Sequence, residues 1–205
     1  MRPQLFLLAL TLAVFVWSGI HPHDRFTWVL EVFPAVIAGV VILATYRRFR
    51  LSNLLYVLIA IHAMILMLGG KYTYAQVPLG VWMEHWFGFT RNHYDRIGHF
   101  AQGFVPAIAA REILIRVARY RRDAWLNVVI FSMCAAISAF YELLEWAVAE
   151  LTGTAAEAFL GTQGDVWDTQ KDMAMACVGA ICALALLRRL HDRSMDAAAA
   201  DAEGG

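Results

Sequence analysis

Six stretches of this chain are apolar enough to cross a lipid bilayer, yet two of them are too short to do so without drawing polar neighbours in. A spanning helix needs about 20 mostly apolar residues, because the hydrocarbon core is about 30 Å thick and each residue rises about 1.5 Å. Four stretches meet that length or come close: Leu5 to Ile20, Trp28 to Tyr46, Leu54 to Gly70 and Ala124 to Leu151. The first follows a short basic start and has the look of a signal peptide. No small-x-small cleavage pattern succeeds it, so it reads as a retained helix. Composition agrees with a membrane location: 60% of the 205 residues are hydrophobic and 17% charged, where soluble domains run at roughly 45–50% and 25%. The fold class that follows is all-α, a polytopic membrane protein built as a bundle of about six transmembrane helices.

Cation placement sets the expected orientation, since cytoplasmic loops carry the excess of Lys and Arg. With the N-terminus inside, that side holds eleven basic residues, among them Arg47, Arg48, Arg50, Arg116, Arg119, Arg121 and Arg122. The opposite side holds five: Arg25, Lys71, Arg91, Arg96 and Lys171. Both termini are therefore expected on the cytoplasmic side of the membrane. Seventeen basic residues balance seventeen acidic ones, which removes any bulk attraction for nucleic acid. The Arg-rich loops are expected to touch anionic headgroups instead, with the bilayer as the obligatory partner. Between the third and fourth stretches, Trp82, Trp86, Phe87 and Phe89 predict a short segment lying in the outer interface. One transmembrane domain is expected over residues 1–193, followed by a disordered cytoplasmic tail, 194–205, of small and acidic residues. The chain is expected to be monomeric or weakly self-associating. The three cysteines lie in apolar runs with no paired framework and read as small core residues.

The two short stretches are the informative ones. Met173 to Leu187 is 15 residues, about 22 Å of helix, so the sixth span must take in Asp168, Gln170, Lys171 and Asp172. Gly103 to Ala110 is only eight residues, so the fourth must include His99 and Gln102, with Arg111 and Glu112 near its far boundary. The fifth stretch is apolar until Glu142 and Glu145. By the inferred direction of each helix, these groups collect in one leaflet, the outer one. Asp95 and His99 are four apart, Glu142 and Glu145 three, Asp168 and Asp172 four, so each pair shares a helix face. Ionisable groups at such depth are costly and face a bundle interior, paired or wetted. The candidate catalytic set is His99, Asp95, Glu142, Glu145, Asp168 and Asp172. Four close carboxylates repel unless a cation sits among them; Arg96, Lys171, a protonated His99 or a divalent Zn, Mn or Fe ion would serve. No compact ligand motif such as HExxH is present. Beside the cluster runs a glycine-bearing loop from Phe159 to Asp168. Its Thr162, Gln163, Asp165 and Trp167, together with Gln102, are the candidate substrate-binding groups. Asp168 is equally open to being the N-cap of the last helix. The bland alternative for the cluster is interhelical polar glue. His62 reads as a satisfied core histidine, His85 and His93 as surface groups, Glu157 as a solvated loop charge, and Glu112 as a local partner of Arg116.

Three segments carry a resemblance: YDRIGHFAQGFVPAIAAREILIR (Tyr94 to Arg116), ELLEW (Glu142 to Trp146) and FLGTQGDVWDTQKDMAMACVGA (Phe159 to Ala180). They closely resemble the YjdF-like inner-membrane proteins, a family with a domain of unknown function. More distantly, the layout is similar to the VanZ-like family. There the resemblance places Asp95, His99 and Phe100 on an Asp-x-x-x-His-Phe element, Glu142 on a Glu-x-x-Gln pair, and Asp168 or Asp172 on the Asp opening the last helix. Glu145 stands where that pattern has Gln. Neither resemblance implies a reaction, so enzymatic activity is left undecided.

Three functions fit the residues. The first is an intramembrane protein that binds or modifies an amphiphilic envelope molecule from the outer leaflet. In it Glu142 or Glu145 acts as general acid or base, His99 orients or transfers a proton, and Asp95 fixes its tautomer. The second is a small proton-coupled transporter, against which stands the lack of an inverted repeat. The third is a non-catalytic membrane scaffold.

Overall fold

The computed structural model describes residues 3–153 and 157–203. All regular structure in them is helical: α1 (Pro3–Gly19), α2 (Arg25–Thr45), α3 (Asn53–Tyr72), a 3-10 turn (Tyr74–Gln76), α4 (Pro78–Phe87), α5 (Tyr94–Arg116), α6 (Ala124–Thr152), α7 (Glu157–Leu160), α8 (Asp168–Leu186) and α9 (Arg188–Glu203). Four of these, α2, α3, α6 and α8, are long and apolar enough to cross a membrane, and α1 is a shorter apolar helix. Helix α5 has the length to cross, 23 residues, or about 34 Å, but it is too polar to qualify on hydropathy. Its polar residues are instead hidden by its neighbours.

Local chemistry sets several helix starts. Asp24 accepts from Thr27 N at 2.6 Å and caps α2; that backbone N–H holds its carboxyl below the usual carboxylate range. Asp123 caps α6 in the same way, accepting from Leu126 N at 3.2 Å. Helix α8 starts at Asp168, so the turn that the length argument required is helical. Asp168 is not its N-cap, however. Trp167 holds that position without a side-chain bond, because the Asp168 carboxylate is engaged by two arginines.

Helices α1 and α2 pack on α3, α3 packs on α5, and α5 packs on α6 and α8. The α5–α8 contact is the most extensive, and two glycines allow it. A Cβ on Gly103 would strike the Ala176 carbonyl, and one on Gly179 would strike the Phe100 carbonyl. Small residues let membrane helices approach to backbone contact. Midway along α5 an apolar layer forms from Leu55, Ile108, Leu126, Ile130, Cys134 and Ala180 among others. It separates polar groups at the two ends of the helix.

The chain beyond 193 departs from the expected disordered tail: α9 continues through Glu203. Two causes act together. Its alanine run has the highest helix propensity, and its first turns dock, with His191 and Met195 0% and 3% exposed and Ser194 Oγ accepting from Leu54 N at 3.1 Å. The expectation of a solvated side chain at Glu157 falls outside the described residues, although its backbone opens α7.

Candidate functional site

The expected polar pairs converge at the Tyr94 end of α5. Asp95 and His99 lie on its buried face, 7% exposed each. From α8 come Asp168 and Asp172, and from α6 Glu142 and Glu145, all 9% exposed or less. His99 occupies the centre. Its Nε2 stands 3.4 Å from Asp95 Oδ1 and 3.6 Å from Asp172 Oδ1, and its Nδ1 3.7 Å from Glu142 Oε1. Gln102 Oε1 lies 3.1 Å from Nδ1. An amide oxygen can only accept, so Nδ1 carries the hydrogen. Asp95, His99 and Asp172 each offer one ligand atom, all within 4.8 Å of one another.

Two arginines hold the acids. Arg96 pairs with Asp172 and Asp168 on α8 and reaches Asp95 at 3.5 Å. Arg91 Nη1 donates to Asp168 Oδ1 at 2.7 Å and to the Thr162 carbonyl at 3.1 Å, while Nη2 donates to the Gly161 carbonyl at 3.2 Å. Arg91 thereby ties the glycine-bearing loop to the start of α8. Asp165 joins the network through Arg91 and through Lys171 Nζ at 2.6 Å. That lysine bond holds the Asp165 carboxyl below the usual carboxylate range. His93 is pushed the other way from a charged state. Burial first, then Arg91 and Arg96, lower its pKa.

The loop residues behave differently from one another. Gln163 accepts from Asn92 N at 3.0 Å and donates to the Asn92 carbonyl at 2.9 Å, so both ends of its amide are used. That clamp holds Gln163 at φ 48°, a left-handed conformation unusual for a side chain other than Gly or Asn. Thr162 contributes a carbonyl to Arg91, and Trp167 is 62% exposed. Trp82, Trp86, Phe87 and Phe89 are likewise exposed, on and just after α4. His85 is exposed and His93 meets the edge of Phe89.

Some members went unread in the sequence. Glu31 of α2 is 3% exposed and lies against the Tyr74 hydroxyl. A lone acid within an otherwise apolar helix was its signal. Arg91 had the signal of sitting four residues before Asp95. Asn92, fully buried, donates to the Val77 carbonyl at 3.0 Å; no spacing rule announces it. His62 corrects an expectation, because its Nε2 is buried without a hydrogen-bond partner. Glu112 does pair with Arg116, but its larger partners are distant: Ser52 N at 2.8 Å, Ser52 Oγ at 2.6 Å and His191 Nε2 at 2.9 Å.

Several apolar helices around a buried cluster of acids, arginines and one imidazole define an integral, multi-pass helical membrane protein. The family model described as "Predicted membrane protein (DUF2238)" matches residues 3–193, and the chain belongs to that family. It is 49% identical over 188 residues to the inner membrane protein YjdF of Escherichia coli (strain K12), a match spanning 92% of this chain and 90% of that protein. No solved structure matches it. The more distant VanZ-like layout finds no support in these matches.

Proposed function

We propose that this inner-membrane protein binds or modifies an amphiphilic envelope molecule at the His99 end of α5, in the outer leaflet, with six spans and both termini cytoplasmic. One observation carries the reading. Buried His99 faces Asp95, Asp172 and Glu142 at 3.4–3.7 Å, while Glu142 Oε1 is buried with no hydrogen-bond partner. Structural glue satisfies its members, since an unpaired buried acceptor costs about 1–3 kcal/mol; reactive or ligand-binding groups are left poised. Glu142 or Glu145 is the acid or base and His99 the proton-transfer or orienting group. Exposed Trp82, Trp86 and Trp167 suit a headgroup-level rim that admits an amphiphile sideways. The apolar layer between the two ends of α5 speaks against a continuous proton path, which a coupled transporter needs.

Mass spectrometry of amphiphiles co-purifying with the protein from native membranes tests this. The wild type should retain a particular amphiphile that His99→Ala and Glu142→Ala lose while inserting at wild-type levels. Identical amphiphile profiles in all three would overturn the reading. Orientation is checked separately: a C-terminal green fluorescent protein fusion should fluoresce and a C-terminal alkaline phosphatase fusion should be inactive.

A further inference from the structure

We infer that Asp95, His99 and Asp172 bind a divalent transition-metal ion, with Gln102 and Glu142 as the residues that orient its imidazole ligand. The first support is distance. A hydrogen-bonded N–H···O pair sits at about 2.7–3.2 Å, shorter than either contact of His99 Nε2. Two donors each about 2.1 Å from one tetrahedral ion lie about 3.4 Å apart. The observed separations from Nε2 are 3.4 Å to Asp95 and 3.6 Å to Asp172. Both separations from Nε2 match the spacing of two ligand atoms on one ion, and the two aspartates offer oxygens within 4.8 Å of each other.

The second support is the imidazole's orientation. Gln102 Oε1 accepts from Nδ1, so in the neutral ring the Nε2 lone pair points between two carboxylates. That arrangement is repulsive unless a cation stands there, and a ligating histidine characteristically donates its other N–H to an oxygen acceptor. Independently, Glu142 is 7% exposed and aims its unpartnered Oε1 at the same Nδ1. It is available to take that hydrogen as the metal draws density from the ring.

The third support is charge. Seven carboxyl groups, Glu31, Asp95, Asp165, Asp168, Asp172, Glu142 and Glu145, gather here against Arg91, Arg96 and Lys171 among the described residues. Arg91 and Lys171 serve mainly Asp165 and Asp168. Of these three cations only Arg96 reaches Asp172, Asp95 meets Arg96 at 3.5 Å and Arg91 at 3.9 Å, and none of them pairs with Glu142 or Glu145. Carboxylate and imidazole together suit Zn, Mn or Fe rather than Mg or Ca, which prefer all-oxygen sets. Arg96 then fills the role of a partner that fixes ligating carboxylates from outside.

The site uses the same cluster as the proposed amphiphile reading, and the test keeps the two apart. Full-length protein, stripped with a chelator in detergent, is titrated with Zn2+ and with Mn2+ alone, read by calorimetry and by metal content after gel filtration. One equivalent per chain is expected for at least one of the two ions. His99→Gln and Asp172→Asn should each abolish it. Glu142→Gln, an orienting change, should weaken affinity by about 10–100-fold and remain monodisperse. Asp192→Asn, at the far end of the bundle, should bind as the wild type does. No stoichiometric metal in the wild type, or binding indifferent to all three cluster substitutions, overturns the site and leaves His99 as an imidazolium balancing the acids. Metal binding without a retained amphiphile would uphold this inference and sink the reading above; the reverse result would do the opposite.

Discussion

The two ends of α5 both bury charge, and they bury it in different ways. At the far end, Arg111 and Glu112 are 1% and 0% exposed. Glu112 receives bonds from Ser52 N, Ser52 Oγ, His191 Nε2 and Arg116. Arg111 meets His191 Nδ1 at 3.0 Å and Asp192 at 2.8 Å, and Arg122 closes the group on Asp192. Three arginines and a histidine there surround two acids, and both Glu112 oxygens are engaged, although Arg111 Nε is buried without a partner. The group also has a structural task, docking α9 and the start of α3 onto α5. At the His99 end, acids outnumber bases and one carboxylate oxygen has no partner. Depth of burial therefore does not separate a lock from a site, because the lock is the deeper of the two. The sign of the surplus charge separates them, and so does the carboxylate itself: both Glu112 oxygens are engaged, whereas Glu142 Oε1 is not.

Removing one member from each end should break or sharpen this contrast. The largest effect is expected from Glu112→Ala, which strands Arg116, His191 and the Ser52 donors. Breaking a buried pair on one side costs about 3–5 kcal/mol, and thermal unfolding in detergent should show it, with α9 becoming protease-sensitive first. Next comes Gly103→Val, whose Cβ must displace the Ala176 carbonyl. Overpacking of that kind costs about 1–3 kcal/mol; because it parts α5 from α8, it should also weaken ion binding at His99 and spare the far end. Glu142→Gln is the opposite case. It removes a surplus charge, so stability should stay within about 1 kcal/mol of wild type or rise. A loss as large as that of Glu112→Ala would make Glu142 part of a second lock.

The smallest effect is a pH dependence. Asp165 has its carboxyl held down in the folded protein by Lys171. A depressed folded pKa stabilises above the unfolded value, about 3.9, and that contribution is lost as pH falls through the folded value. The melting temperature should accordingly drop more steeply on acidification in wild type than in Asp165→Asn. His93 acts in a higher window with the same sign. Its lowered pKa disfavours the folded state as pH drops below about 6.5, so His93→Gln should flatten the profile there.

Much of this is legible in the amino-acid sequence. The deficit in two apolar runs demands that His99, Gln102, Asp168 and Asp172 enter helices, and the i,i+4 and i,i+3 spacings put Asp95 with His99, Asp168 with Asp172 and Glu142 with Glu145 on shared faces. Those inferences rest on helix rise and period, which are local. Glu31, Arg91 and Asn92 escaped because their partners, Tyr74, Gly161 and Gln163, are far away in sequence. The far lock escaped for the same reason: Ser52, Glu112 and His191 come from three distant segments. The helical tail is not legible in its small, acidic composition because the surface that His191, Ser194 and Met195 dock on comes from distant segments.

The order of elements, the membrane setting and most of the acids that must be buried, Glu31 excepted, were determined by the amino-acid sequence alone, since hydrophobic length and helical periodicity act over about 20 neighbouring residues. Which of those acids end as a satisfied lock and which as an unbalanced cluster was decided only by tertiary packing. Gly103 and Gly179 bring α5 and α8 to backbone contact, and only then does His99 face Asp172 across the interface, while α9 folds back to give Glu112 its histidine.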